Sequence, residues 1–270
     1  MKDNRLTEIV KSLPASIPFV SPEEHERSVR QLFAARIGAN ENCYGPSPKV
    51  LEAIKNVSCD VWKYPDPTAF DLKNELAKFY NISDQNIIVG EGIDALLGYL
   101  VRLFIQVGDN VVTSNGSYPT FNYHVEGFGG QIFKCDYRDD KEDLQLLIDK
   151  ASKNKAKLLY FSNPNNPMGT WMRGDKIVSL LEKLPDDCLL ILDEAYAEFA
   201  PNEAKVPILV FGIGIRLNLS VLELLELFGK KKVCKSSNRA HFKKPQFWPF
   251  FRASTHLFFV DEMLAESQQK

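Results

Sequence analysis

Between Asn86 and Tyr196 the sequence alternates short β-rich runs with amphipathic helical patterns, and this alternation constrains the chain more than any other feature. Such order predicts an α/β fold with a mostly parallel sheet covered by helices on both faces. Strands are expected at Asn86 to Val89, Asn110 to Ser114, Gln131 to Cys135, Lys157 to Ser162 and Cys188 to Leu192. Helices are expected at Ile93 to Ile105, Glu142 to Asn154 and Asp175 to Leu184. Before this region stand a polar N-terminal helix candidate, an extended Asn40 to Pro48 segment and a helix over Thr68 to Tyr80 with Thr68 as its cap. After Ala200 the alternation is lost: Leu217 to Leu227 is leucine-rich, Lys230 to Lys244 basic, and Phe247 to Phe259 crowded with aromatics.

Three segments inside the alternating region carry chemistry. Leu190-Ile191-Leu192-Asp193-Glu194-Ala195-Tyr196 drops an acid and a phenol, three residues apart, off the end of an apolar strand. A carboxylate there can hold a proton on a heterocyclic nitrogen, with a tyrosine hydroxyl near the same ring; a helix cap or surface acid is the plainer alternative. About thirty residues upstream, at the spacing of one strand-helix unit, lies the amide-rich turn Asn163-Pro164-Asn165-Asn166-Pro167-Met168-Gly169-Thr170. A third segment, Gly90-Glu91-Gly92-Ile93-Asp94-Ala95, follows an expected strand and opens a helix. Its glycines allow a tight turn, and the helix start presents amides and a positive dipole end to an anion.

In this order the segments resemble the fold-type I, pyridoxal-phosphate-dependent aminotransferases, and most closely the histidinol-phosphate aminotransferase-like branch, from about Arg36 to Phe199. The resemblance implies a three-layer large domain with a mostly parallel central sheet. It divides the chain into an N-terminal arm or small-domain segment over 1–50, an incomplete cofactor-binding large domain over 51–205 and a divergent tail over 206–270. It implies pyridoxal 5'-phosphate as cofactor: the amides of Ile93, Asp94 and Ala95 on the phosphate, Phe121 stacked on the pyridine ring, Asn166 and Tyr196 on its phenolic oxygen, and Asp193 on its nitrogen. Tyr64 resembles the tyrosine that reaches the phosphate of the neighbouring subunit, which implies a homodimer. Asn40 and Tyr44 fall in the family's substrate-side segment, with Cys43 where proline is usual. Each of these residues also has an ordinary reading: a surface-turn tyrosine for Tyr64, a core phenylalanine for Phe121, loop capping for Asn40.

The same resemblance exposes a gap. The family's lysine, which binds the cofactor covalently and shuttles the substrate proton, follows a serine or threonine after the Asp-x-x-Tyr strand, and no such motif occurs here. Lys230 is the nearest candidate by position and lacks the flanking motif. The pattern is that of a family member truncated or frame-altered after about residue 200, which sequencing the coding DNA would test. Two readings follow. One is an aminotransferase moving an amino group between histidinol phosphate or an aromatic amino acid and 2-oxoglutarate; the other is a non-catalytic, cofactor-binding relic or truncated gene product. A generic nucleotide-binding domain using only the Gly90 turn leaves the later motifs unexplained.

Composition narrows the partners. With 44% hydrophobic and 25% charged residues and a net charge of -2, the chain reads as a globular protein without bulk attraction to nucleic acid or anionic membrane. Five scattered cysteines and no leader segment favour a reducing cytoplasm, with Cys135 and Cys188 as core thiols. His25, His124, His241 and His256 are isolated, so no metal site or histidine triad is expected. Val206 to Ile215 is too short to span a bilayer as a helix.

Overall fold

The computed structural model describes residues 5–14, 20–35, 38, 40, 44–80 and 83–204. The chain divides into two compact units, with the boundary between Pro65 and Asp66.

The described part of the first unit is helical. Helices α1 (Glu8–Ser12), α2 (Pro22–Val29) and α3 (Pro48–Val57) each begin where a Thr7, Ser21 or Ser47 hydroxyl accepts a first-turn amide. Proline at the first helical position of α2 and α3 fits there because that amide has no intrahelical partner.

The second unit opens with α4 (Phe70–Tyr80) and α5 (Ile93–Phe104). It continues as β1 (Asn110–Ser114), α6 (Pro119–Gly127), β2 (Gln131–Cys135), α7 (Leu144–Asn154), β3 (Leu158–Ser162), α8 (Gly174–Leu181) and β4 (Leu189–Asp193). The four strands are all parallel, in the order β2-β1-β3-β4. From β1 the chain moves outward to β2, then returns past β1 to β3 and on to β4. Right-handed crossovers therefore put α6 on one face and α7 and α8 on the other. In agreement, α6 packs on α5 and β2, whereas α7 packs across β1, β2 and β3 and against α8. Burial from both sides explains why β3 is covered at every position and carries Leu158, Leu159, Tyr160 and Phe161 before its terminal Ser162. The reversal of winding between β1 and β3 makes their carboxyl ends a topological switch point, the usual ligand position in such sheets.

Most expected elements stand within a residue or two of their places, and two expectations are corrected. Asn86 to Val89 is not a strand: Asp84–Asn86 forms a 3-10 turn and Ile87 to Gly90 join no sheet among the described residues. Ile87 is buried, so its apolar character serves packing rather than a ladder. Thr68 does not cap α4. The Asp66 carboxylate does, accepting from the amides of Thr68 and Phe70 at 2.9 and 3.0 Å and from the Thr68 hydroxyl, which leaves Ala69 with φ 48° at the helix entrance. These bonds hold Asp66 below the usual carboxylate range, the Phe70 amide contributing most. Helix α7 starts at Leu144 rather than Glu142 because the Asp143 side chain caps it.

Cys135 and Cys188 both lie in the core, as expected, and burial pushes the Cys188 thiol up to about 12. Among the described residues no helix is long and apolar enough to cross a membrane. Val206 to Ile215 lies outside them.

Candidate active site

Strand β4 carries Leu190, Ile191 and Leu192 into full burial and ends on Asp193, which is 7% exposed. Its carboxylate is fastened at both oxygens: Oδ1 accepts from the Ala195 amide at 2.9 Å, Oδ2 from the Tyr160 hydroxyl at 2.5 Å. The Asn163 amide, at the end of β3, donates to the Asp193 carbonyl at 2.8 Å and locks the two strand ends together. Burial raises the Asp193 carboxyl above its ordinary value; the Tyr160 and Ala195 hydrogen bonds oppose that, and the charge of Asp94 adds to it. None of these influences is a cation. The Tyr160 hydroxyl is itself pushed well above its usual range, first by burial and then by Asp193, and stays a donor.

Asp94 and Phe121 reach the same corner by different routes. Helix α5 starts behind Gly92, whose φ of 92° and ψ of 176° suit glycine and which offers no side chain to the first-turn amides of Ile93, Asp94 and Ala95. At Gly90 an added Cβ would stand 2.8 Å from Leu96 Cδ2. Tyr118, just before α6, is pushed up to about 12 by burial, with smaller contributions from the charge and hydrogen bond of Asp94 and the charge of Asp193. Phe121 follows in the first turn of α6, fully buried, its ring 4.7 Å from that of Tyr160 at 20°.

The amide-rich turn after β3 is held from within. Asn163 Nδ2 donates to the carbonyls of Met172 and Ala204 at 3.1 and 3.0 Å, and Oδ1 accepts from the Met172 amide at 2.7 Å. Asn165 Nδ2 donates to Ser162 Oγ and the Tyr137 hydroxyl, both at 3.1 Å, and Oδ1 accepts from the Met168 amide at 3.1 Å. Below it the Glu142 carboxylate accepts from the Ser162 amide at 3.1 Å, and burial raises that carboxyl. Asn166 stands half-buried at the tip of this turn. Tyr196 is half-buried at the entrance to the 3-10 turn Ala197–Phe199, its ring 6.4 Å from that of Phe199.

The structure thus gathers Asp94, Phe121 and Asp193 around Tyr118 and Tyr160. Tyr64 and Tyr44 belong to the first unit, where they are 100% and 94% exposed; Asn40, also in that unit, has φ 56°. Lys230, His241 and His256 lie outside the described residues. Sequence reasoning missed Tyr160, Asn163, Asn165 and Glu142. A readable signal existed for Tyr160, because a phenol inside a wholly apolar buried strand needs an acceptor. Among the described residues no histidine, cysteine or carboxylate cluster could hold a metal ion.

A buried carboxylate fastened only by neutral donors is suited to a cationic ligand, and an uncapped first turn behind a glycine is suited to an anionic one. A protonated heterocycle bearing a phosphate answers to both, so the residues present fit pyridoxal phosphate. Comparison with known proteins gives the class. The model of the family "Aminotransferase class I and II" matches residues 35–223, and the chain belongs to that family. The match continues past Phe199, where the motif-by-motif resemblance ends.

The chain is 28% identical over 237 residues to histidinol-phosphate aminotransferase 1 of Bacillus cereus, covering 88% of this chain and 60% of that protein. It is 35% identical over 191 residues to histidinol-phosphate aminotransferase 2 of Carboxydothermus hydrogenoformans, covering 71% and 52%. It therefore spans only about half to three-fifths of the length of these relatives. Among solved structures, the histidinol-phosphate aminotransferase of Sinorhizobium meliloti in complex with pyridoxal-5'-phosphate superposes with a TM-score of 0.76 at 39% identity, covering 99% of this chain and 76% of that one. The fold is accordingly that of the fold-type I transferase large domain.

Proposed function

We propose that this chain binds pyridoxal 5'-phosphate and serves amino-group transfer between histidinol phosphate, or an aromatic amino acid, and 2-oxoglutarate. The observation that supports this most is Asp193: a buried carboxylate at the sheet's carboxyl end with no cation, among the described residues, in the set of groups that fix its ionisation. Asp193 would hold the proton on the ring nitrogen. The amides of Ile93, Asp94 and Ala95, behind Gly92, would take the phosphate. Phe121 would wall the ring, and Asn166 and Tyr196 would bond its phenolic oxygen. When bound, the cofactor supplies an electron sink for the charge left as the substrate's Cα proton departs.

Asn40 and Tyr44 are assigned to the substrate's polar end. Tyr64 is assigned to the phosphate of a second subunit, which makes the working form a homodimer, in the cytoplasm. The division into an arm over 1–50, a cofactor domain over 51–205 and a separate tail over 206–270 belongs to the same proposal.

A second reading, a cofactor-binding protein without catalysis, is favoured by the sequence beyond Tyr196, where no lysine directly follows a serine or threonine. One experiment separates the two: the absorption spectrum of the full chain mixed with pyridoxal phosphate, before and after borohydride, with peptide mapping of any reduced adduct. An adduct fixed on one lysine is the result expected of an aminotransferase. Binding without a fixed lysine identifies the non-catalytic protein, and absence of binding contradicts both.

A further inference from the structure

Tyr160 touches two of the residues assigned to the cofactor ring, Asp193 and Phe121, yet it has no part in the family resemblance. It sits in the middle of β3 with zero exposure, flanked directly by the apolar Leu159 and Phe161. Its hydroxyl donates to Asp193 Oδ2, and its ring stacks on Phe121. With the Ala195 amide on Oδ1, each carboxylate oxygen has one donor among the described residues, which fixes the plane of the group. A carboxylate oxygen has two acceptor sites, so each keeps one for a further donor.

We propose that the Tyr160 hydroxyl is a positioning group for Asp193, fixing the carboxylate and keeping it ionised so that the proton it shares with a heterocyclic nitrogen stays on the ring. The inference rests on the cofactor reading above. Burial alone drives Asp193 toward the neutral acid, and a hydrogen bond to the charged form opposes this. Without Tyr160 the proton would move from the ring nitrogen to the carboxyl oxygen. The bond Asp193 makes would remain, but the ring would lose its positive charge and its capacity to withdraw electrons.

The test uses the full chain, wild type and Tyr160→Phe, a substitution that keeps the ring against Phe121 and removes only the hydroxyl. The probe is pyridoxine 5'-phosphate labelled with 15N at the ring, which has no aldehyde and so needs no lysine. In the wild type the bound ring nitrogen should resonate at its protonated position. In Tyr160→Phe it should move toward the neutral position, with affinity roughly tenfold weaker, the scale of one lost hydrogen bond to a charged group. In the ligand-free proteins, 13C NMR of the Asp193 carboxyl, assigned through Asp193→Asn, should show its titration midpoint raised by about one pH unit in Tyr160→Phe.

An unmoved carboxyl midpoint, or an unmoved ring nitrogen in a variant that binds, overturns the inference. A wild-type chain that does not bind the probe while the carboxyl midpoint still moves removes the cofactor reading, and with it the purpose assigned to Tyr160. Should Tyr160→Phe fail to fold, the wild type still decides. The Tyr160 13Cζ resonance must follow the Asp193 titration with the same midpoint, and independent behaviour overturns the inference.

Discussion

The two units treat their candidate residues in opposite ways. In the second unit Asp193 and Phe121 are buried, and hydrogen bonds tie β3 to the end of β4 beside the turn that carries Asn166. In the first, Tyr64 and Tyr44 project fully into solvent. The difference separates a preorganised site from residues whose use needs something else to come to them. A buried polar group persists only when its partners are in place, so the corner around Asp193 is set by folding itself. An exposed tyrosine imposes no such demand.

Substitutions should break this contrast in graded steps. The largest effect on stability is expected at Asn163, whose side chain makes three hydrogen bonds at 1% exposure. Asn163→Ala should cost about 3 kcal/mol in denaturant unfolding, since it strands the buried Ala204 carbonyl and the half-buried backbone of Met172. A cost below about 0.5 kcal/mol, the range of ordinary surface changes, would show that the turn is not held from within. Next comes Gly92→Ala, which forces a side chain into a conformation that suits glycine and should cost about 1 to 3 kcal/mol, read from the shift in thermal midpoint.

Glu142 gives a smaller effect that depends on pH. Its folded-state carboxyl is raised above the ordinary glutamate value, chiefly by burial. The folded protein therefore holds a proton there that the unfolded chain has already released. Stability should fall as pH climbs from the ordinary glutamate range to the raised value, then level off. Glu142→Gln should flatten that part of the profile, and an unchanged slope would contradict the assignment. The smallest effect on stability belongs to Tyr64→Phe, within about 0.5 kcal/mol. If a partner subunit receives this hydroxyl, the variant should weaken cofactor binding, whereas an unchanged affinity removes Tyr64 from the site.

The sequence was most legible where one local rule decided the outcome. Strands β1 and β2 begin and end where the apolar runs bounded by turn residues place them. The β4 strand and the acid at its end were equally plain. Legibility failed where a distant partner decides. Ile87 has a strand's composition but joins no ladder among the described residues, and Thr68 yields its capping role to Asp66, two residues earlier. Tyr160 and Asp193 stand thirty-three positions apart and Asn163 and Ala204 forty-one. The strand around Tyr160 shows that its phenol needs an acceptor but does not name Asp193, and nothing near Asn163 names Ala204, so these partners became visible only in the fold.

The most direct test of the Asp193 corner is the affinity of the full chain for pyridoxine 5'-phosphate, wild type beside Asp193→Asn, measured by titration calorimetry. A pyridinium partner at Asp193 predicts saturable binding by the wild type and a loss of about thirtyfold or more in the variant, the scale for truncating one member of a buried charge pair. Equal affinities in the two proteins would contradict the assignment of Asp193 to the ring nitrogen.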